Sequence, residues 1–120
     1  MNFVVEPKEK LSCVVSNVEK LDAIYAPELK GELVGIIHAG VRNVVLDLSN
    51  TKYIDSSGLS ALLVGQRSCR DNNGSFVICG LQDTVKKLIS ISQLDSVLKI
   101  TPTLNEAIDL VYMEEIEREI

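Results

Sequence analysis

Groups from which a catalytic centre is built are scarce in this sequence. It contains one histidine, His38, and a serine nucleophile needs a positioned base. His38 falls near the end of a predicted helix, where capping or solvation suits it better. There is no Gly-x-Ser-x-Gly elbow and no glycine-rich loop of the Walker type. The three cysteines, Cys13, Cys69 and Cys79, lack Cys-x-x-Cys spacing and have no second histidine to join them, which argues against a zinc site. The expectation is a protein that is not an enzyme and needs no cofactor or metal.

Other absences bound its surroundings. No apolar run reaches the roughly 18 residues of a membrane helix, and Met1-Asn-Phe-Val-Val-Glu6 lacks the basic start and apolar stretch of a signal peptide. An odd number of cysteines in predicted strands and helices argues against a disulfide framework and for a reducing cytoplasm. No basic cluster offsets the formal net charge of -5, so nucleic acid is not expected as a direct ligand. Neither secretion nor membrane insertion is expected.

What is present is an ordinary globular mixture. Hydrophobic residues make up 46% of the 120 and charged residues 24%, enough for one domain with its own core and too apolar for a disordered chain. Phe3 to Glu6 and Leu11 to Ser16 are rich in β-branched residues and flank Pro7-Lys-Glu-Lys10, which predicts an opening β-hairpin. Leu29, Leu33, Ile36 and Ile37 recur at helical spacing behind Pro27, a residue suited to a first turn, and Gly40 ends that helix. Asn43 to Leu48 reads as a strand in which Val44, Leu46 and Leu48 face one side while Val45 and Asp47 face the other, the pattern of a sheet covered on one face only. A second helix shows Leu59, Leu62, Leu63, Gln66 and Cys69 as its inner face and stops at Asn72-Asn73-Gly74.

Strand Ser75 to Cys79 follows, then a helix opening at Gly80-Leu-Gln-Asp83 with Val85, Leu88 and Ile89 inward, and a last strand over Val97 to Ile100. Thr103-Leu-Asn-Glu106 has the spacing of a capping box for a final helix with Leu104, Ala107, Ile108 and Val111 inward. Its acidic end, Met113 to Ile120, is predicted to be frayed and solvated. The order is β-β-α-β-α-β-α-β-α, and right-handed crossovers between neighbouring parallel strands set the helices on one face.

The stretch with the most chemical content is Asp55-Ser56-Ser57-Gly58, between an apolar strand and an apolar helix. Side chains of these types cap helices by accepting bonds from backbone N–H groups that the first turn leaves unpaired, so a helix is predicted to start within one residue of Ser57. The same N–H groups and the helix dipole favour an anion there. On these residues alone the stretch is a simple cap, and Ser56, Ser57 and Ser60 are equally reachable hydroxyls.

Leu21-Asp22, Asn43-Val-Val-Leu-Asp-Leu-Ser49 and Tyr53-Ile-Asp-Ser-Ser-Gly-Leu59 together resemble the STAS domain of bacterial anti-sigma factor antagonists. That resemblance implies an α/β fold: one STAS-like domain over residues 1–120, with a core of about 11–112, an acidic helix end at 113–120, and a mixed, mostly parallel sheet of four to five strands with helices mainly on one face. It implies phosphorylation at Ser57, the second serine of the motif, and a partner surface of Asp22, Asp55, Ser56, Ser57 and Gly58. It further implies two partners, an anti-sigma factor serine kinase and a metal-dependent, PP2C-like serine phosphatase. Two departures stand out: Glu19-Lys20 where the family has glycine before Leu-Asp, and Ser60 where it often has glycine or alanine. The alternative is a STAS docking subunit of a membrane lipid-transport complex, which carries no phosphate.

Overall fold

In the computed structural model, which describes residues 1–120, the two opening segments pair as the antiparallel strands β1 (Phe3–Lys8) and β2 (Leu11–Ser16), in register from Phe3 opposite Ser16 to Lys8 opposite Leu11. Three parallel strands complete the main sheet: β4 (Val44–Asp47), β6 (Phe76–Cys79) and β7 (Lys99–Thr101), in the order β1-β2-β4-β6-β7. Four helices alternate with them: α1 (Ala26–His38), α2 (Ser56–Asp71), α3 (Asp83–Ile91) and α4 (Leu104–Glu119). The predicted order of strands and helices is thus present, in a sheet of five strands.

Two further strands have no counterpart in the sequence pattern. Lys20–Leu21 (β3) and Tyr53–Ile54 (β5) form a separate parallel pair, Lys20 opposite Tyr53 and Leu21 opposite Ile54. At two residues each they are too short to show a period of two. They resume the β2–β4 pairing after an interruption that is stitched by a buried bond between the Ser16 and Thr51 hydroxyls (2.9 Å) and by Thr51 Oγ1 donating to the Val18 carbonyl (2.9 Å).

The sheet is covered on both faces, which corrects the one-sided expectation. Helices α1, α2 and α3 bury Leu29, Leu33, Leu62, Val85 and Ile89 against Leu46 and Ile78, whereas α4 lays Ala107 and Val111 on the opposite face over Leu11, Cys13, Val45, Val77 and Cys79. The helices are therefore mainly, not wholly, on one side. Asp47 misled because it ends its strand: its carboxylate accepts from the Ser49 N–H (2.9 Å) at the sheet margin, while Val45 on the same face is fully buried.

The inner face of α2 is also turned by one position from the predicted one. Gly58, Ala61, Leu62, Gly65 and Cys69 are buried, and Leu59, Leu63 and Gln66 only partly so. The cause is close approach: a Cβ on Gly65 would stand 2.6 Å from the Phe76 ring, so small residues let the helix sit low on the sheet.

The acidic end of α4 is not frayed. Glu115, 5% exposed, accepts from Arg42 (Nε 3.0 Å, Nη2 2.8 Å), from Asn43 Nδ2 (2.6 Å) and from Arg118 Nη1 (3.0 Å). Glu114 accepts from the Ser75 hydroxyl and from Lys99 Nζ, both at 2.5 Å. Arg42 above all, then Asn43, hold the Glu115 carboxyl down at about 2 against the opposing effect of burial. Burial alone would raise Glu114, but the Lys99 and Ser75 bonds outweigh it and leave it lowered. Helix α4 is thereby fastened to the amino ends of β4, β6 and β7. The expectation of fraying treated Met113–Ile120 as a local segment, and its partners lie in residues 42–99.

Candidate functional site at the start of the second helix

Strand β4 ends at the site through Leu48–Lys52 and the short β5, and α2 then begins at Ser56, one residue from Ser57 as predicted. The cap is Asp55. Its extended backbone lets Oδ1 accept from the Gly58 N–H (3.0 Å) while its carbonyl accepts from the Leu59 N–H (2.9 Å). Of the three residue types able to cap here it is Asp55 that does so, and Ser56 is left exposed. The N–H groups of Ser56 and Ser57 have no partner in the chain, so the turn retains donors that face an incoming anion.

Asp22 reaches the same place through β3. The Asp55 N–H donates to the Leu21 carbonyl (3.3 Å), and the β3–β5 register extended by one residue sets Asp22 beside Asp55. Asp22 also turns the chain into α1, its Oδ1 accepting from the Ile24 N–H (3.0 Å) and its carbonyl from the Tyr25 and Ala26 N–H groups. All five residues singled out in the sequence, Asp22, Asp55, Ser56, Ser57 and Gly58, come together at this end of the sheet.

Gly58 is what permits the junction. A Cβ there would stand 2.3 Å from the Leu21 carbonyl oxygen and 2.5 Å from Ile54 Cγ1, and neither strand can withdraw from its own pairing. Neither Asp22 nor Asp55 pairs with a cation; the ion pair near them joins Lys52 to Glu19 at 3.5 Å between exposed side chains. Ser57 is half-buried at the first turn, and Ser60 lies one turn along, also half-buried.

Two side chains escaped the sequence reading. Ile24 is 76% exposed two residues beyond Asp22, and Tyr53 is 43% exposed two residues before Asp55. They give the acidic site an apolar border, which suits a protein partner better than a small anion. An apolar residue in a turn, as in Asp22-Ala-Ile-Tyr25, was the available signal. His38 is exposed in the last turn of α1, and no cluster of three or more metal-ligating side chains is present.

Residues 2–107 match the model of the STAS domain. BtrV of Bordetella bronchiseptica, named as an anti-sigma factor antagonist, is 35% identical over 75 residues, 62% of this chain; the alignment spans 65% of BtrV. The anti-sigma-B factor antagonist of Staphylococcus aureus is 27% identical over 68% of this chain and 75% of its own length. Among solved structures, SpoIIAA in its unphosphorylated form superposes with a TM-score of 0.71 at 20% identity, covering 92% of this chain and 97% of that one. The phosphorylated form of the Bacillus protein gives 0.70 at 21% identity, over 91% and 98%. With its fold, its Asp-Ser-Ser-Gly junction and a family match over nearly its whole length, this chain belongs to the STAS domain family.

Proposed function

We propose that this protein is a cytoplasmic anti-sigma factor antagonist. In this reading it binds an anti-sigma factor serine kinase through Asp22, Asp55, Ser56, Ser57 and Gly58, and so frees a sigma factor for transcription. The observation that carries the reading is the placement of Ser57: a half-buried hydroxyl at the first turn of α2, beside unpaired N–H groups and two carboxylates without cations. The names of the relatives agree with it.

The kinase would end the interaction itself. The Ser57 hydroxyl attacks the γ-phosphorus of the kinase's ATP, the bond to ADP breaks, and the hydroxyl proton passes to a base of the kinase. The product carries about -1.5 to -2 charges at neutral pH, where Asp22 and Asp55 already crowd the surface. The free N–H groups of Ser56 and Ser57 hold the new dianion on the helix instead of melting it, so what changes is the surface, not the fold. Like charges brought together across an interface cost several kcal/mol, and about 1.4 kcal/mol is a tenfold loss of affinity. A metal-dependent serine phosphatase of the PP2C type hydrolyses the phosphoserine and restores the binding form. This chain contributes no catalytic group to either step.

The test is intact and fragment mass spectrometry of the protein from its native cells, wild type beside Ser57→Ala, across growth conditions. One phosphate confined to Ser57 is expected. Its absence under every condition, with full activity of the Ser57→Ala protein, would overturn the switch in favour of an unphosphorylated docking subunit of a membrane transport complex.

A further inference from the structure

The hairpin turn between β1 and β2 carries a feature that the Ser57 site does not use. Lys10 holds a left-handed backbone at φ +68°, where glycine or asparagine sits at little cost and lysine does not. A residue kept in a conformation it disfavours points to a use for its side chain. That side chain borders a cleft of about 450 Å3 at the amino ends of β2 and β4, which Lys8 and Arg42 line together with Asn43, Glu115 and Glu119.

The charges on this lining do not cancel. Neither Lys8 nor Lys10 is in an ion pair. Arg42 is fixed by its two bonds to Glu115 (3.0 and 2.8 Å), which leave its other N–H groups free. Glu115 has nothing left for a cation, because its Oε1 accepts from Arg42, Asn43 and Arg118 and its Oε2 from Arg42. Glu119 is the carboxylate on the lining that has no partner, and Glu9 lines a separate cleft with Tyr112 and Ile116, which Lys10 and Glu119 also border. An excess of positive charge remains, in a chain whose formal net charge is -5. The backbone adds a donor: Asn43 is wholly buried and its N–H has no acceptor in the chain, since the Lys10 carbonyl, next in the β2–β4 ladder, accepts from the Asn43 side chain instead (2.8 Å). A buried N–H without a partner is where a water or an anion binds. The last carbonyls of α1, which would repel an anion near Gly40, are taken by the N–H groups of Ala39, Gly40 and Val41.

We infer that this cleft binds a compact polyanion, a small molecule carrying several phosphate or carboxylate charges, held by Lys8, Lys10 and Arg42. A guanidinium already set in place by Glu115 gives up little freedom when the anion arrives. The anion ties the hairpin turn to the start of β4, at the opposite ends of the parallel strands from Ser57, so both sites can be filled at once.

The experiment is titration calorimetry of the full chain with pyrophosphate and with citrate, beside acetate as a singly charged control, at constant ionic strength. Saturable one-to-one binding of pyrophosphate or citrate is expected, weaker in higher salt, and none of acetate. The tighter of the two shows whether phosphate or carboxylate is the preferred group. Lys10→Gly removes the charge and relieves the backbone, so binding should fall at least about tenfold while the urea midpoint does not fall. Glu119→Gln should bind more tightly, the opposite of what a cation site would show. In amide NMR spectra the Asn43 resonance should shift on saturation. No saturable binding, equal binding by wild type and Lys10→Gly, or weaker binding by Glu119→Gln would overturn the proposal. So would shifts centred on Ser56 and Ser57, whose free N–H groups also attract anions.

Discussion

The two ends of the sheet treat charge in opposite ways. At the amino ends of β4, β6 and β7, Arg42, Lys99 and Arg118 are each tied to Glu114 or Glu115, and Asn43 and Ser75 add further hydrogen bonds. At the carboxyl ends, Asp22 and Asp55 bond only backbone N–H groups, and the exposed pair of Lys52 and Glu19 adds little. One end fastens a helix across the whole sheet. The other holds its backbone rigidly and leaves its charges and hydroxyls unspent, which is what a surface that must respond to one added phosphate requires.

If that contrast is right, substitutions at the fastened end should change stability and leave Ser57 chemistry alone. The largest effect is expected for Glu115→Ala, which strands the donors of Arg42, Asn43 and Arg118: a loss of about 3 kcal/mol in urea unfolding, with phosphorylation by a cognate kinase unchanged. The same carboxylate governs acid behaviour. Its acidity is held at about 2 in the folded chain against an ordinary 4.5, so its stabilisation is complete above about pH 4.5 and is lost as the pH falls from there towards 2. It amounts to about 3 kcal/mol, and the Glu115→Ala variant should lack this part of the acid transition.

Substitutions at the open end sharpen the comparison. Gly58→Ala places a methyl against the Leu21 carbonyl and Ile54 and should cost about 2 kcal/mol, with loss of partner binding as β3 and β5 are forced apart. Asp55→Ala removes the cap of α2 and should cost about 1 kcal/mol. Ser57→Ala should alter stability by less than about 0.5 kcal/mol while abolishing phosphate incorporation. A Ser57→Ala protein as unstable as Glu115→Ala would break the division between the two ends.

Most of the architecture was legible because it is local. Helices α1 and α3 show apolar residues at helical spacing, β4 and β6 are short apolar runs, and Thr103 caps α4 as its spacing foretold, accepting from the Glu106 N–H (3.2 Å) and donating to Glu106 Oε1 (2.9 Å). The helix start at Asp55-Ser56-Ser57-Gly58 was legible because side chains of these types cap a first turn, whereas Asp22 was singled out by the family resemblance and not by any pattern at the helix start. Ile24 and Tyr53 were not legible, because neither exposure nor adjacency across two strands is written in a single stretch. The α2 face was misjudged because hydrophobicity ranks leucine above glycine, whereas close packing on Phe76 ranks them the other way.

By itself, then, the sequence determined the order of the four helices and of the five strands of the main sheet, the start of α2 and the identity of the residues at that start, since periodicity and capping act over a few neighbouring positions; the short pair β3 and β5 it did not show. Tertiary structure alone decided that α4 covers the second face, that Glu115 is buried among donors 72 and 73 residues away, and that Asp22 stands beside Asp55. Each of these depends on surfaces brought together by burial, and apolar burial has no direction that a local pattern can record.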